Sequence, residues 1–163
     1  MTIVGHYMKE ILLTQDKIAL IDDEDYDLVS HYKWYAQKGN NGIFYAVTTI
    51  TIPMHQLIIG AKGQAIDHIN GDGLNNQKNN LRTATSQENS FNRRKRSGCS
   101  SLYKGVCWNK KAKKWRAYLT KNQKHVSLGY FKDEKEAARA YDKAALIHFG
   151  SFAKLNFNEG EEK

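Results

Sequence analysis

Hydrophobic and polar residues alternate in short runs along the first half of the chain. KEILLTQDKIALIDD separates its Ile/Leu runs with turn residues, which predicts the two strands of a hairpin. Leu28, Val29, Tyr32 and Trp34 follow at roughly helical spacing after an acidic start. GIFYAVTTITI is β-branched and aromatic, so it predicts a strand that ends near Pro53. MHQLIIG predicts a short helix or strand.

The second half has a different order of elements. LYKGVCW, KWRAYLTK and KHVSLGYF predict three strands, because short polar connectors of the kind found in hairpins join them. DEKEAARAYDKAALIHFG then changes to the helical period. Asp133 and Glu136 have capping-box spacing at its start, and Gly150 stops it. One stripe of the helix is predicted to carry Ala137, Ala138, Tyr141, Ala144, Ala145 and His148.

Charge divides the chain at the same place. Residues 1–92 carry seven Lys and Arg against ten Asp and Glu, whereas residues 93–163 carry eighteen against seven. A concentrated basic segment favours a polyanionic partner, nucleic acid first and an anionic membrane surface second. We therefore predict a domain at 1–92, a basic linker at 93–101 and a second domain at 102–158. Two interpretations of the linker remain open. It either only connects the two domains, or its Arg93 and Arg94 lie along the phosphates of the nucleic acid.

Length and cysteine content limit the class of protein. The 163 residues suffice for one ordinary domain or two small ones. Cys99 and Cys107 lack the paired spacing of a zinc site or a disulfide framework, so we expect no structural zinc and an intracellular location. The start of the sequence lacks a secretion signal, and no apolar stretch approaches the ~20 residues that span a bilayer. We expect no membrane partner.

The stretch AIDHINGDGLNNQKNNLR is unusually rich in asparagine. The Asp67 carboxylate suits Mg²⁺, which takes one or two protein carboxylates and completes its shell with water and substrate phosphate. His68 has an unperturbed pKa near neutrality, so it can take a proton from a water molecule aimed at phosphorus. An amide bonded to the other ring nitrogen would hold the correct tautomer. The sequence thus predicts a site for phosphodiester hydrolysis.

The segment LRTATSQENSFNRR predicts a short strand followed by a helix. Thr85 and Glu88 have capping-box spacing, which places Asn89 about one turn inside that helix. We predict that Asn89 points back towards the strand bearing Asp67, so that the two residues clamp one metal ion.

These residues resemble the HNH nucleases with their ββα-metal core. DHINGDGLNNQKNNLRTATSQENSFNR is similar to the Asp-His, Asn-Leu-Arg and Gln-Glu-Asn pattern of homing-type HNH endonucleases encoded by phages and introns. The resemblance implies that His68 is the general base and Asp67 a metal ligand. It also implies that Asn80 orients the histidine and that Asn89 is the second ligand. The cofactor implied is one divalent cation, Mg²⁺ with Mn²⁺ as the alternative.

Other polar residues near the motif have a weaker case. Asn70, Asn75, Asn76 and Asn79 are predicted to be structural, because asparagine is favoured in turns through its own backbone hydrogen bonds. His55 lies beside an apolar run, and we predict a hydrogen-bonded core residue outside the active site.

The second half resembles the plant apetala-two or ethylene-response-factor DNA-binding domain over residues 102–157, through YKGVCW, KWRAYL, HVSLGYF, EAARAYDKAA and GSFAKLNF. The family fold is a three-stranded sheet packed on one helix, and its sheet enters the major groove. The resemblance implies DNA contacts from Lys104, Trp108 and Arg116. This chain has lysines where the plant proteins have arginines, so we expect much backbone contact and less base readout.

These observations predict an α+β protein. It comprises an N-terminal HNH ββα-metal domain with additional strands, followed by a three-stranded antiparallel sheet packed on one helix. The predicted function is a two-module endonuclease of phage or intron type, acting as a monomer on double-stranded DNA in the cytoplasm of a bacterial host. Two alternatives remain: a sequence-specific DNA-binding regulator with an inert nuclease half, and a structure-directed or RNA-cutting nuclease.

Overall fold

The computed structural model describes residues 7–157 except 62, 94, 96, 97, 99, 122 and 123. The chain forms two compact units, Met1–Ser86 and Gln87–Lys163. Both are built from small antiparallel sheets and helices, so the predicted α+β class is confirmed. Among the described residues, no helix is both long and apolar enough to cross a membrane.

Among its described residues, the first unit contains three antiparallel strand pairs and two short α-helices. The pairs are β1 (Met8–Leu12) with β2 (Ile18–Asp22), β3 (Tyr35–Lys38) with β4 (Phe44–Val47), and β5 (Ala65–His68) with β6 (Leu81–Ala84). The helices are α1 (Tyr26–Ser30) and α2 (Met54–Ile59). Burial of apolar side chains from most of these elements supplies the main stabilisation of the unit. The core comprises Ala19, Ile21, Val29, Trp34, Ala46, Met54, Ile58, Ile66 and Leu81.

The local predictions for this unit hold where the pattern is simple. The hairpin of β1 and β2 is confirmed, and MHQLIIG is a helix that ends at Gly60 in the left-handed conformation. The strand predicted for residues 42–52 is shorter, because a turn follows β4. Thr51 has φ 61°, and its N–H donates to the Thr48 carbonyl at 2.9 Å. The helix α1 ends before Trp34, whose indole N–H donates to the Val29 carbonyl at 2.9 Å.

The second unit contains a three-stranded antiparallel sheet packed on a long helix, as predicted. Its elements are β7 (Val106–Asn109), β8 (Lys114–Lys121), β9 (Lys124–Phe131) and α4 (Glu134–Phe149). Ala137 and Ala138 of α4 are fully buried against Val106 and Ala117 of the sheet. Small side chains let the helix backbone approach the strands closely.

The ends of α4 follow the predicted signals. The Asp133 carboxylate accepts the Glu136 backbone N–H at 2.9 Å, and Gly150 ends the helix with φ 53°. The predicted stripe is correct for Ala145 but not for His148, which is exposed while its neighbour Phe149 is buried. The stripe therefore shifts by one residue at the last turn.

A further helix, α3 (Ser86–Phe91), follows β6, and all of it after its first residue belongs to the second unit. The Phe91 ring stacks on Phe149, with centroids 3.8 Å apart and planes 14° from parallel. The C-terminal end of α3 is thus packed against the C-terminal end of α4.

Candidate active site

Asp67 and His68 end β5, and both are buried, with 4% and 6% of their surface exposed. Successive strand residues point to opposite faces, so the two side chains leave β5 in different directions. In the register with β6, Asp67 lies opposite Arg82 and His68 lies opposite Leu81. The strand pair therefore fixes two adjacent buried polar residues at the end of β5.

Asp67 is held by the arginine across the sheet. Its Oδ2 accepts hydrogen bonds from Arg82 Nε at 2.9 Å and from Arg82 Nη2 at 2.6 Å. Such a charge-assisted pair fixes the carboxylate and compensates for its burial. Sequence reasoning did not single out Arg82, although the Asn-Leu-Arg letters of the motif contain it.

His68 is oriented by an asparagine of the loop between β5 and β6. His68 Nε2 lies 3.4 Å from Asn76 Oδ1, and Asn76 is fully buried. Asn76 Nδ2 donates to the Leu74 carbonyl at 3.0 Å, which assigns Oδ1 to the histidine side. An amide oxygen only accepts, so Nε2 carries the hydrogen and Nδ1 is the nitrogen that can accept a proton. Sequence reasoning had predicted Asn76 to be structural.

Asn80 acts on the backbone of the same loop. Its Oδ1 accepts the Asn70 N–H at 3.0 Å, and its Nδ2 donates to the Asn75 carbonyl at 2.7 Å. The buried amide thus joins the two ends of the asparagine loop and fixes the segment that carries Asn76. The predicted direct role of Asn80 in orienting His68 remains a prediction.

Burial lowers the pKa of His68 below its usual value, while the hydrogen bond to Asn76 and the charge of Asp67 act in the opposite direction. The net effect favours the neutral imidazole near pH 7. A neutral imidazole with the hydrogen on Nε2 is the form required of a general base.

His55, at the first turn of α2, lies against His68. Their ring centroids are 5.0 Å apart and the planes are perpendicular, while the Tyr45 ring lies 6.0 Å from His55 and 5.9 Å from His68. His55 Nδ1 is buried and has no hydrogen-bond partner among the described residues. The prediction that His55 is hydrogen-bonded is therefore wrong for Nδ1, whereas its predicted place outside the active site stays a prediction. The sequence could not predict this contact, because His55 and His68 are thirteen positions apart and lie on different elements, α2 and β5.

Acid should destabilise the first unit through His55. Burial, with the nearby His68, lowers the pKa of His55 to about 4. A depressed folded-state pKa means that the unfolded chain takes up the proton first, so stability falls as pH drops from 6.5 towards 4. We expect a loss of about 3 kcal/mol in the free energy of unfolding across this window. Urea unfolding at pH 7 and pH 4.5 measures this loss. Between the two pH values, His55→Phe should lose much less unfolding free energy than His31→Phe, the control at an exposed histidine.

The donor set around Asp67 suits a hard cation. Among the described residues, no group of three or more His, Cys, Asp or Glu could hold a metal ion. Mg²⁺ does not need such a group, because one carboxylate with amide oxygens, water and phosphate satisfies it. The Asp67 carboxylate fits this role, although Arg82 shares its Oδ2. Asn89 lies on α3 and is partly buried.

The sheet of the second unit has one face against α4 and one face away from it. Ala117 is buried against the helix, so its strand neighbours Arg116 and Tyr118 lie on the other face. The Arg116 guanidinium lies 5.6 Å from the Tyr118 ring centroid, and its Nε has no hydrogen-bond partner among the described residues. This outer face also carries Tyr130, opposite Arg116, and His125, which contacts Tyr118 edge to face at 5.1 Å.

The predicted DNA contacts fall in different environments. Trp108 pairs with Trp115 across β7 and β8, which puts it on the helix side and opposite in direction to Arg116. The Lys104 ammonium donates to the Phe91 carbonyl, and burial with the nearby Lys154 lowers its pKa to about 8.

The predicted contact of Lys104 with DNA stays a prediction, since its ammonium is already engaged within the unit. Arg93 is exposed, and Arg94 lies outside the described residues.

Two protein families match the sequence. Residues 60–91 match the HNH endonuclease family, and residues 101–147 match the AP2 domain. The first match contains β5, β6, α3 and the asparagine loop, and the second contains the three-stranded sheet and most of α4. Both kinds of domain imply binding to DNA.

Individual relatives match different shares of the chain. An uncharacterized HNH endonuclease of Acanthamoeba polyphaga mimivirus is 33% identical over 145 residues, covering 85% of this chain and 74% of that protein. Protein 3.8 of Escherichia phage T7 is 42% identical over 59 residues, 36% of this chain and 49% of that protein. APETALA2-like protein 2 of rice (Oryza sativa) is 41% identical over 59 residues, covering 36% of this chain and 14% of that protein.

Proposed function

Because the chain belongs to the HNH endonuclease family and also carries an AP2 domain, we propose that it is a metal-dependent, homing-type endonuclease that hydrolyses DNA at a specific site. The observation that carries the proposal is the buried pair at the end of β5. Asp67 is fixed by Arg82, and His68 has its Nε2 hydrogen directed to the Asn76 amide. A base in a defined tautomer beside a carboxylate suits attack of water on a phosphodiester.

In the proposed reaction His68 Nδ1 takes a proton from a water molecule. The water oxygen forms a bond to phosphorus as the bond from phosphorus to the 3′ oxygen breaks. The products are a 5′-phosphate and a 3′-hydroxyl, the latter protonated by solvent. One such site cuts one strand in each engagement, so a monomer is expected to produce nicks.

Asp67 and Asn89 are the residues that would hold the divalent cation, Mg²⁺ or alternatively Mn²⁺. The cation would stabilise the negative charge that develops on the phosphate and on the departing oxygen. The protein's own contribution is to fix the Asp67 carboxylate through Arg82.

The outer face of the C-terminal sheet is the proposed DNA-reading surface. A major groove admits a β-ribbon, and the arginine fork matches the two acceptors of guanine. Arg116 lies on the central strand of this face, among Tyr118, Tyr130 and His125. Its Nε is buried without a partner, so the terminal nitrogens Nη1 and Nη2 would form the proposed contact with a base. Because this surface has few arginines, phosphate contacts should supply much of the affinity, which would then fall steeply with salt.

Arg116→Ala is expected to weaken binding to the specific site by about 10–100-fold and to relax base preference at one position. Fluorescence anisotropy with DNA that flanks the protein's own gene, and with single-base variants of it, measures both effects. The matched control is Arg139→Ala on α4, whose guanidinium lies over the Phe157 ring and not on the outer face. Equal losses in the two variants would contradict the assignment of the reading face.

Incubation with supercoiled plasmid carrying that flanking DNA tests the function itself. We expect open-circle product with Mg²⁺ and none with EDTA. A plasmid that stays intact but is retarded on a gel would instead indicate a DNA-binding regulator. The similarity to a phage protein and to a viral endonuclease supports a mobile or viral gene acting within a host cell.

A further inference from the structure

A second histidine is presented to the candidate active site by α2. His55 follows Pro53 and the fully buried Met54, which anchor the first turn of that helix. Its ring is perpendicular to that of His68, with centroids 5.0 Å apart. Any phosphate group that reaches His68 therefore comes close to the His55 ring.

The two nitrogens of His55 differ in environment. Nδ1 is buried without a partner, whereas the ring as a whole is only partly buried. Nε2 also forms no hydrogen bond with another described residue, but it is not a buried atom. Nε2 therefore lies on the accessible edge of the ring. A buried N–H without an acceptor is rarer than a buried acceptor without a donor, which assigns the hydrogen to Nε2.

We infer that His55 is a catalytic residue whose Nε2–H donates a hydrogen bond to a non-bridging oxygen of the phosphodiester attacked at His68. This inference rests on the nuclease function proposed above. Negative charge grows on the non-bridging oxygens as water attacks, so a fixed donor stabilises the transition state more than the bound substrate.

The chemistry of His55 suits a donor and not a second base. Its pKa of about 4 keeps it neutral near pH 7. A neutral imidazole does not compete with His68 for the proton of water, and it retains its Nε2 hydrogen throughout the reaction. Adjacent histidines with distinct environments can thus divide the roles of base and donor.

Stability alone does not account for a histidine at this position. A phenylalanine would keep the ring contacts with Tyr45 and His68 while removing the buried nitrogen that lacks a partner. Buried polar atoms without partners often mark functional sites, where stability is sacrificed for activity. His55→Phe should therefore be at least as stable as the wild type and much less active.

The first test compares kcat and KM of nicking for His55→Phe and His55→Gln with the wild type and with His31→Phe, an exposed histidine of the same unit. We expect kcat to fall about 100-fold in His55→Phe with little change in KM, as for loss of one oxyanion donor. His55→Gln keeps an N–H donor and should recover part of the rate. Wild-type kcat in His55→Phe, or a melting temperature below that of the wild type, would overturn the inference.

A second test uses DNA in which sulfur replaces one non-bridging oxygen of the scissile phosphate. Sulfur accepts hydrogen bonds poorly, so one stereoisomer should slow the wild type yet slow His55→Phe no further. Equal slowing of both proteins by both stereoisomers would refute the contact between His55 and the phosphate oxygen.

If the wild type does not cut at all, the proposed function itself fails. Normal cutting by His55→Phe beside an inactive His68→Ala refutes only the role of His55.

Discussion

His68→Ala is expected to reduce DNA nicking by about 10²–10⁴-fold, which in a plasmid assay appears as no product. The variant lacks the only group that the proposed reaction uses to take the proton from water. Binding to DNA should remain nearly unchanged, because the C-terminal sheet carries the proposed reading surface. Initial nicking rates with Mg²⁺ and gel retardation of the same DNA measure the two properties separately.

Two controls make the result specific. His68 is 6% exposed, so truncation leaves a cavity and its effect on folding must be measured by thermal unfolding. His68→Gln fills most of the space without supplying a base and should be equally inactive, whereas His31→Ala removes an exposed histidine and should cut normally. Wild-type nicking by folded His68→Gln would refute the general-base assignment.

Gly105→Ala is expected to unfold the C-terminal unit or to lower its melting temperature by more than about 10 °C. Gly105 has φ 74°, and an added Cβ would lie 1.9 Å from Tyr141 Cδ2 and 2.7 Å from the Tyr118 carbonyl oxygen. Tyr141 is 3% exposed and cannot move aside easily. Left-handed strain and overpacking together cost roughly 3–5 kcal/mol.

The matched control is Gly150→Ala. Gly150 also has a positive φ, 53°, but an added Cβ would meet nothing within 4 Å. With ψ −131° it therefore carries backbone strain without the clash, roughly 1–3 kcal/mol. Circular dichroism melts and DNA retardation should separate the two variants. Equal melting temperatures would mean that Tyr141 adapts and that the close packing of β7 on α4 is not essential.

Features governed by neighbouring residues could be predicted from the sequence. The cap of α4 depends on Asp133 and Glu136, three positions apart, and the hairpin of β1 and β2 depends on one short connection. The candidate base was found in the same way, since Asp67 and His68 are adjacent and the family pattern contains them. Periods of two and 3.6 residues, together with turn chemistry, suffice for such features.

Features that depend on tertiary contact could not be predicted. The hydrogen bond between His68 and Asn76 depends on how the loop closes, and five asparagines in one loop look alike in sequence. The contact of His55 with His68 joins two elements. The opposite faces of Trp108 and Arg116 follow from strand register, which could be predicted from the sequence only to within one residue.

The stack of Phe91 on Phe149 limits how proteins of this kind can exchange modules. The HNH match ends at residue 91, so a hybrid joined immediately after it keeps every matched nuclease residue but parts Phe91 from its partner. A foreign reader attached at the basic stretch would leave an aromatic ring exposed unless it offered an equivalent of Phe149. Recombination that preserves the stack should therefore transfer α3 together with the reader. Because Asn89 lies on α3, such a chimaera should cut DNA only when the incoming helix carries an equivalent asparagine.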